Sequence, residues 1–86
     1  MKEWIESHFG KIREELFTFY RFKTISADPA LYKEMNRCSQ WLANTLSMLH
    51  CKSEVVPTSG APLVYAEDLS AGPKAPTLLI YGHYDV

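Results

Sequence analysis

The feature that most constrains the fold is a continuous apolar run near the end of the chain. Residues 77–81 (TLLIY) lead without interruption into residues 82–86 (GHYDV). Short apolar runs of this kind are typical of strands that are buried on both faces, inside a sheet covered by helices. We therefore predict an interior strand over residues 77–82.

Two polar residues follow this predicted strand and point to one side of it. In an extended chain, residues two apart lie on the same face, so His83 and Asp85 share a face that Tyr84 does not. A metal-bound imidazole usually donates its second ring N–H to a carboxylate or a carbonyl. Ligands of open α/β sheets gather where strands end. His83 is therefore a candidate metal ligand and Asp85 a candidate orienting carboxylate, although His-x-Asp alone is not specific and a structural histidine fits the same position.

The composition is that of a globular protein, with 47% hydrophobic and 22% charged residues. Nine Lys and Arg against ten Asp and Glu give a formal charge of −1, so we expect no nucleic-acid partner and no membrane partner. The N-terminus lacks the apolar region of a secretory signal, and no apolar run approaches the ~20 residues that span a bilayer. Cys38 and Cys51 lack metal-type spacing, which favours free thiols in a cytoplasmic protein.

Two amphipathic helices are predicted ahead of the strands. Apolar residues recur at steps of three and four over residues 2–22 and again over residues 29–49. Asp28-Pro29 is a typical helix start, because aspartate caps free N–H groups and proline suits the first helical position. Cys38 falls on the apolar stripe of the second helix as a small core residue. His50 is predicted to end that helix in the left-handed conformation.

The second half of the chain predicts strands. Residues 53–57 and 62–67 are short strands joined by a glycine-containing loop of hairpin length. A Gly- and Pro-containing loop then leads to the strand at 77–82. This order predicts an α/β fold in which two N-terminal helices pack on a mixed sheet. Because an interior strand needs neighbours and a chain this short buries little surface, we expect residues 1–86 to be the N-terminal part of a larger domain.

Five segments, in this order and spacing, resemble the opening of the M20 family of zinc metallopeptidases. The similarity is strongest to the dipeptidase branch that includes carnosine dipeptidases, and it covers nearly the whole chain. The last of the five segments is the most specific, because it is similar to the first metal-binding motif of the family. The segments are residues 22–29 (FKTISADP), 41–42 (WL), 55–58 (VVPT), 60–67 (GAPLVYAE) and 79–86 (LIYGHYDV).

The resemblance implies a zinc-dependent hydrolase that acts on dipeptides or short peptides, with two Zn²⁺ ions in the complete active site. It implies that His83 is a ligand of one zinc and that Asp85 is the active-site carboxylate holding the imidazole. The remaining ligands and the general base are expected beyond Val86. A homodimer is a candidate assembly of the complete protein.

Three alternatives remain open from the sequence. The first is a deacylase of N-acyl amino acids, since related members of the same superfamily hydrolyse such substrates. A non-catalytic α/β interaction module would use His83 and Asp85 only as a capping pair. A non-heme iron oxygenase also uses His-x-Asp, but its double-sheet β-fold does not begin with two long helices. Since a catalytic zinc needs about three protein ligands, the 86-residue chain is predicted to be inactive by itself.

Overall fold

The computed structural model describes residues 1–86 and contains two long helices and one β-hairpin. Both predicted helices and the first two predicted strands are present, with ends that differ by at most three residues from the sequence prediction. The elements are α1 (Lys2–Arg21), a short 3₁₀ helix (Pro29–Leu31), α2 (Tyr32–Met48), β1 (Lys52–Val56) and β2 (Leu63–Glu67).

The predicted start and end signals around the second helix are confirmed. The Asp28 carboxylate accepts a hydrogen bond from the backbone N–H of Ala30 at 3.0 Å, with Pro29 at the first position of the 3₁₀ helix that leads directly into α2. His50 has a φ of 67°, in the left-handed region that a histidine tolerates better than most residues. These local contacts set the direction in which the chain enters and leaves α2.

The centre of the structure is α2 packed on an antiparallel hairpin. Strands β1 and β2 pair with Lys52 opposite Glu67 and Val56 opposite Leu63. The Ser53 hydroxyl donates to the carbonyl of Ala43 at 2.7 Å, which joins the sheet to the helix. The buried residues are few, and Cys38 is confirmed as one of them. They are Thr24, Met35, Cys38, Ser39 and Ala43.

The predicted strand over residues 77–82 does not form, so the sheet is a two-stranded antiparallel hairpin and the prediction of a mixed sheet was wrong. A strand exists only beside a hydrogen-bonded neighbour, and the two strands of the hairpin pair only with each other. The side chains predicted to be buried face solvent instead. Residues 78–81 are between 80% and 88% exposed.

Helix α1 does not pack on the sheet, which corrects the prediction that both helices would do so. None of its residues is buried. It meets α2 near its C-terminal end, where the Phe19 and Phe22 rings lie 6.3 and 5.9 Å from that of Trp41. Phe19 is half-buried, while the other large apolar side chains of the stripe, from Trp4 to Tyr20, are between 38% and 67% exposed.

The helices and the hairpin are packed loosely, because the chain exposes more surface and has a larger radius of gyration than a compact protein of its size. The accessible surface is 7271 Å², whereas a compact 9.8 kDa protein exposes about 5,200 Å². The radius of gyration is 14.9 Å, against roughly 12 Å for a compact domain of this length. The excess surface includes the apolar stripe of α1 and residues 78–81.

Candidate functional site: a histidine held by a carboxylate

Residues 84–86 are attached to the rest of the molecule although they form no strand. The backbone N–H of Val86 donates to the carbonyl of Thr24 at 2.8 Å, and Thr24 is buried. The Tyr84 hydroxyl donates to the carbonyl of Pro62 in the hairpin loop. The chain between His83 and Val86 is therefore positioned from two sides, by the connector between the helices and by the hairpin.

The predicted contact between the imidazole and the carboxylate is present. His83 Nδ1 lies 3.1 Å from Asp85 Oδ1, and the Tyr84 side chain points the other way, toward Pro62. The period-two geometry of an extended chain accounts for this arrangement. The contact brings the two predicted site residues together on one side of the backbone.

The second oxygen of Asp85 is bound by a residue from the connector. The Ser26 hydroxyl donates to Asp85 Oδ2 at 2.6 Å. This hydrogen bond, followed by that from His83, lowers the pKa of the Asp85 carboxyl below its ordinary value. Asp85 is consequently a carboxylate at neutral pH, and a carboxylate can only accept hydrogen bonds.

The state of Asp85 determines the tautomer of His83. Because Asp85 only accepts, the imidazole must carry a proton on Nδ1 to bond it, and in the neutral ring Nε2 then has a free lone pair. The Tyr81 hydroxyl lies 2.9 Å from Nε2 and donates to it. Nε2 is therefore the nitrogen available to a metal ion, and its present partner is a hydroxyl on an exposed side chain.

The chain of contacts Ser26–Asp85–His83 is not a nucleophilic triad. In a serine hydrolase the imidazole lies between the serine and the carboxylate, and it removes the proton of the hydroxyl. Here the Ser26 hydroxyl contacts the carboxylate directly, so the imidazole is not placed to activate it. The arrangement can orient a histidine, but it does not prepare a serine for attack.

The residues present do not fit a complete zinc site. No group of three or more His, Cys, Asp or Glu side chains is placed to hold a metal ion, whereas catalytic zinc needs about three protein ligands. The nearest acids in sequence have other partners: Glu67 accepts from the Tyr65 hydroxyl, and Asp68 from the backbone N–H of Ser70. The chain offers one oriented nitrogen, His83 Nε2.

His83 and Asp85 line a largely apolar groove of about 570 Å³. Its walls come from α2, from the hairpin and its loop, and from the segment before His83. The groove therefore places a polar pair beside an apolar surface, as in many small-molecule sites. The apolar lining includes Met35, Leu42, Leu46, Leu63, Val64 and Ile80.

The sequence prediction missed two residues of the site. Tyr81 lies two residues before His83, so the same period-two rule would have placed it on the face of the imidazole. Ser26 is 59 residues from Asp85 in sequence, and no local pattern connects them.

No protein-family model matches the chain, and no curated protein or solved structure does so either. None of the helices combines the length and the hydropathy needed to cross a bilayer. Function is therefore inferred from the geometry of the site and from the sequence resemblance.

Proposed function

We propose that residues 1–86 form the opening part of the catalytic domain of a cytoplasmic, zinc-dependent metallopeptidase that hydrolyses dipeptides or short peptides. In this proposal His83 Nε2 is one metal ligand and Asp85 holds the ring in place. The observation that carries it is the 3.1 Å contact between His83 Nδ1 and Asp85 Oδ1. A carboxylate on the second nitrogen is one of the common partners of a metal-bound imidazole.

The uncovered apolar surfaces support the proposal that more polypeptide belongs to this domain. Contiguous exposed apolar surface is uncommon on monomers and marks places where other elements dock. Residues 78–81 are an apolar run of this kind, and the stripe of α1 is another. Further strands and helices would cover both surfaces, and the remaining metal ligands would come with them.

The first test uses the 86-residue chain itself. With one oriented nitrogen it has too few ligands for a catalytic zinc, so we expect no hydrolysis of a dipeptide panel in the presence of added Zn²⁺. Hydrolysis by the purified chain that a chelator removes would contradict the view that the site is completed from outside these residues.

The second test uses the protein as expressed from its own gene. We expect bound zinc and dipeptide hydrolysis, loss of at least one zinc in His83→Ala, and a reduction of metal affinity or activity of about 10- to 100-fold in Asp85→Ala. His8→Ala, which removes a histidine on α1, is the matched control and should retain both. Unchanged zinc content and hydrolysis in His83→Ala would refute the assignment, and cleavage of N-acyl amino acids alone would make the enzyme a deacylase.

One observation favours a second function, a non-catalytic interaction module. His83 Nε2 already has a partner in the Tyr81 hydroxyl at 2.9 Å, and no other potential metal ligands gather around it. In this alternative the Tyr81–His83–Asp85 contacts only fix the shape of the segment. A metal-free protein that hydrolyses neither dipeptides nor N-acyl amino acids would favour it.

A further inference from the structure

The connector between the two helices makes hydrogen bonds to two adjacent residues at the end of the chain, Asp85 and Val86. The Ser26 hydroxyl binds Asp85 Oδ2, and the carbonyl of Thr24 binds the backbone N–H of Val86. The first contact involves a side chain that orients His83, while the second involves only backbone. Because one contact uses side chains and the other only backbone atoms, a side-chain substitution can change the orientation of Asp85 while residues 84–86 stay attached.

We propose that Ser26 is a positioning residue for His83, acting through Asp85. By holding Oδ2, the Ser26 hydroxyl turns Oδ1 toward His83 Nδ1 and so selects the imidazole tautomer in which Nε2 is unprotonated. The proposal depends on the proposed function only for the use of Nε2 as a metal ligand. The selection of the tautomer is a property of these three side chains.

The geometry indicates which of the two hydrogen bonds fixes the carboxylate. The Ser26–Asp85 distance of 2.6 Å lies in the range of short, charge-assisted O–H···O⁻ bonds. The His83–Asp85 distance is longer, at 3.1 Å, and the His83 side chain is 68% exposed against 33% for Asp85. Water competes with the exposed imidazole for the carboxylate, so the bond from His83 alone would not stop the carboxylate from rotating. The half-buried Ser26 hydroxyl is therefore the group that fixes its orientation.

The backbone contacts allow Ser26 to be changed without releasing the segment. Val86 remains bonded to Thr24, and Tyr84 remains bonded to the hairpin loop. In Ser26→Ala we therefore expect the segment to stay attached while Asp85 rotates more freely. Ser26→Thr keeps a hydroxyl at the same position, and Ser59→Ala removes an exposed hydroxyl from the hairpin loop as a control.

The experiment is long-range ¹H–¹⁵N spectroscopy of the 86-residue chain near pH 8.5, about two units above the ordinary pKa of a histidine. We expect the Nδ1–H tautomer of His83 to predominate. Its ratio to the Nε2–H tautomer should fall about 3- to 10-fold in Ser26→Ala, as expected for the loss of one hydrogen bond. Ser26→Thr should restore the ratio and Ser59→Ala should leave it unchanged, with the Val86 amide protected from exchange in all four proteins.

Several results would overturn the proposal. An unchanged tautomer ratio in Ser26→Ala, or a ratio that Ser26→Thr does not restore, would show that the hydroxyl does not orient Asp85. Loss of Val86 amide protection in Ser26→Ala would make Ser26 an anchor of the segment instead. A protein that binds no zinc but shows the Ser26-dependent ratio would end the peptidase assignment and leave this inference standing.

Discussion

The two halves of the terminal segment behave in opposite ways. Residues 77–81 have the apolar character of an interior strand, and most of their surface faces solvent. Residues 82–86 include the polar residues His83 and Asp85, yet this half has the hydrogen bonds to Ser26, Pro62 and Thr24. The half that the hydrophobic pattern predicts to be buried is exposed to solvent, and the half predicted to carry chemistry is attached by hydrogen bonds to the rest of the molecule.

The difference between the two halves shows that a β-strand and a side-chain contact within one segment have different requirements. A strand requires a neighbour with which to exchange backbone hydrogen bonds, and the hairpin supplies none to residues 77–81. The contact between His83 and Asp85 requires only an extended backbone, because residues two apart share a face. The contact between His83 and Asp85 can therefore form within residues 83–85 alone, whereas burial of residues 77–81 needs a neighbouring strand.

The largest effect expected from this difference is on stability. Met35→Ala removes a side chain that is 1% exposed and should lower the free energy of unfolding by about 2–5 kcal/mol. Ile80→Ala removes an apolar side chain that is 83% exposed and should change it by less than about 0.5 kcal/mol. Urea denaturation followed by circular dichroism measures both variants. Equal losses would mean that residues 77–81 are packed.

Much of the fold could be predicted because its determinants are local. The stripe of α2, the Asp28-Pro29 start and the left-handed His50 all act within a few residues, and each is confirmed. The strand at 77–82 and the packing of α1 depend on partners that a periodic pattern does not identify. The same reason explains why Asp85 was found as the neighbour of His83 while Ser26 was missed.

The second effect concerns alkaline pH. Burial, followed by the charge of Glu34, raises the pKa of the Cys38 thiol from 9.0 to about 11. Burial, followed by the charges of Cys38 and Asp85, also raises the pKa of Tyr84. A group whose pKa is raised by folding stabilises the fold below its unfolded pKa, and this contribution is lost as the pH rises through the folded value.

We therefore expect the free energy of unfolding to be level near pH 8 and to fall between pH 9 and about pH 11, with the Tyr84 contribution entering above pH 10. Denaturation at a series of pH values measures this. Cys38→Ala should remove the part of the fall between pH 9 and 10, while Cys51→Ser, the control at the other free thiol, should leave it. A fall that persists in Cys38→Ala would place its cause elsewhere.

A smaller effect tests the attachment of residues 82–86. Tyr84→Phe removes the hydrogen bond to the carbonyl of Pro62 and should lower the free energy of unfolding by about 0.5–1.5 kcal/mol. Tyr20→Phe, at an exposed position on α1, is the matched control and should change it by less than about 0.5 kcal/mol. If both variants melt like the wild type, the hairpin does not hold this half of the segment.

The most direct test of the account is the ring tautomer of His83 in the unmodified chain, with exposed His50 as an internal reference. The central claim is that the carboxylate of Asp85 fixes a proton on Nδ1 and leaves Nε2 unprotonated. Long-range ¹H–¹⁵N spectra recorded near pH 8.5, about two units above the ordinary pKa of a histidine, are expected to show mainly the Nδ1–H form at His83, and that preference should disappear in Asp85→Ala. A His83 ring with its proton mainly on Nε2, or one unaffected by Asp85→Ala, would contradict the claim.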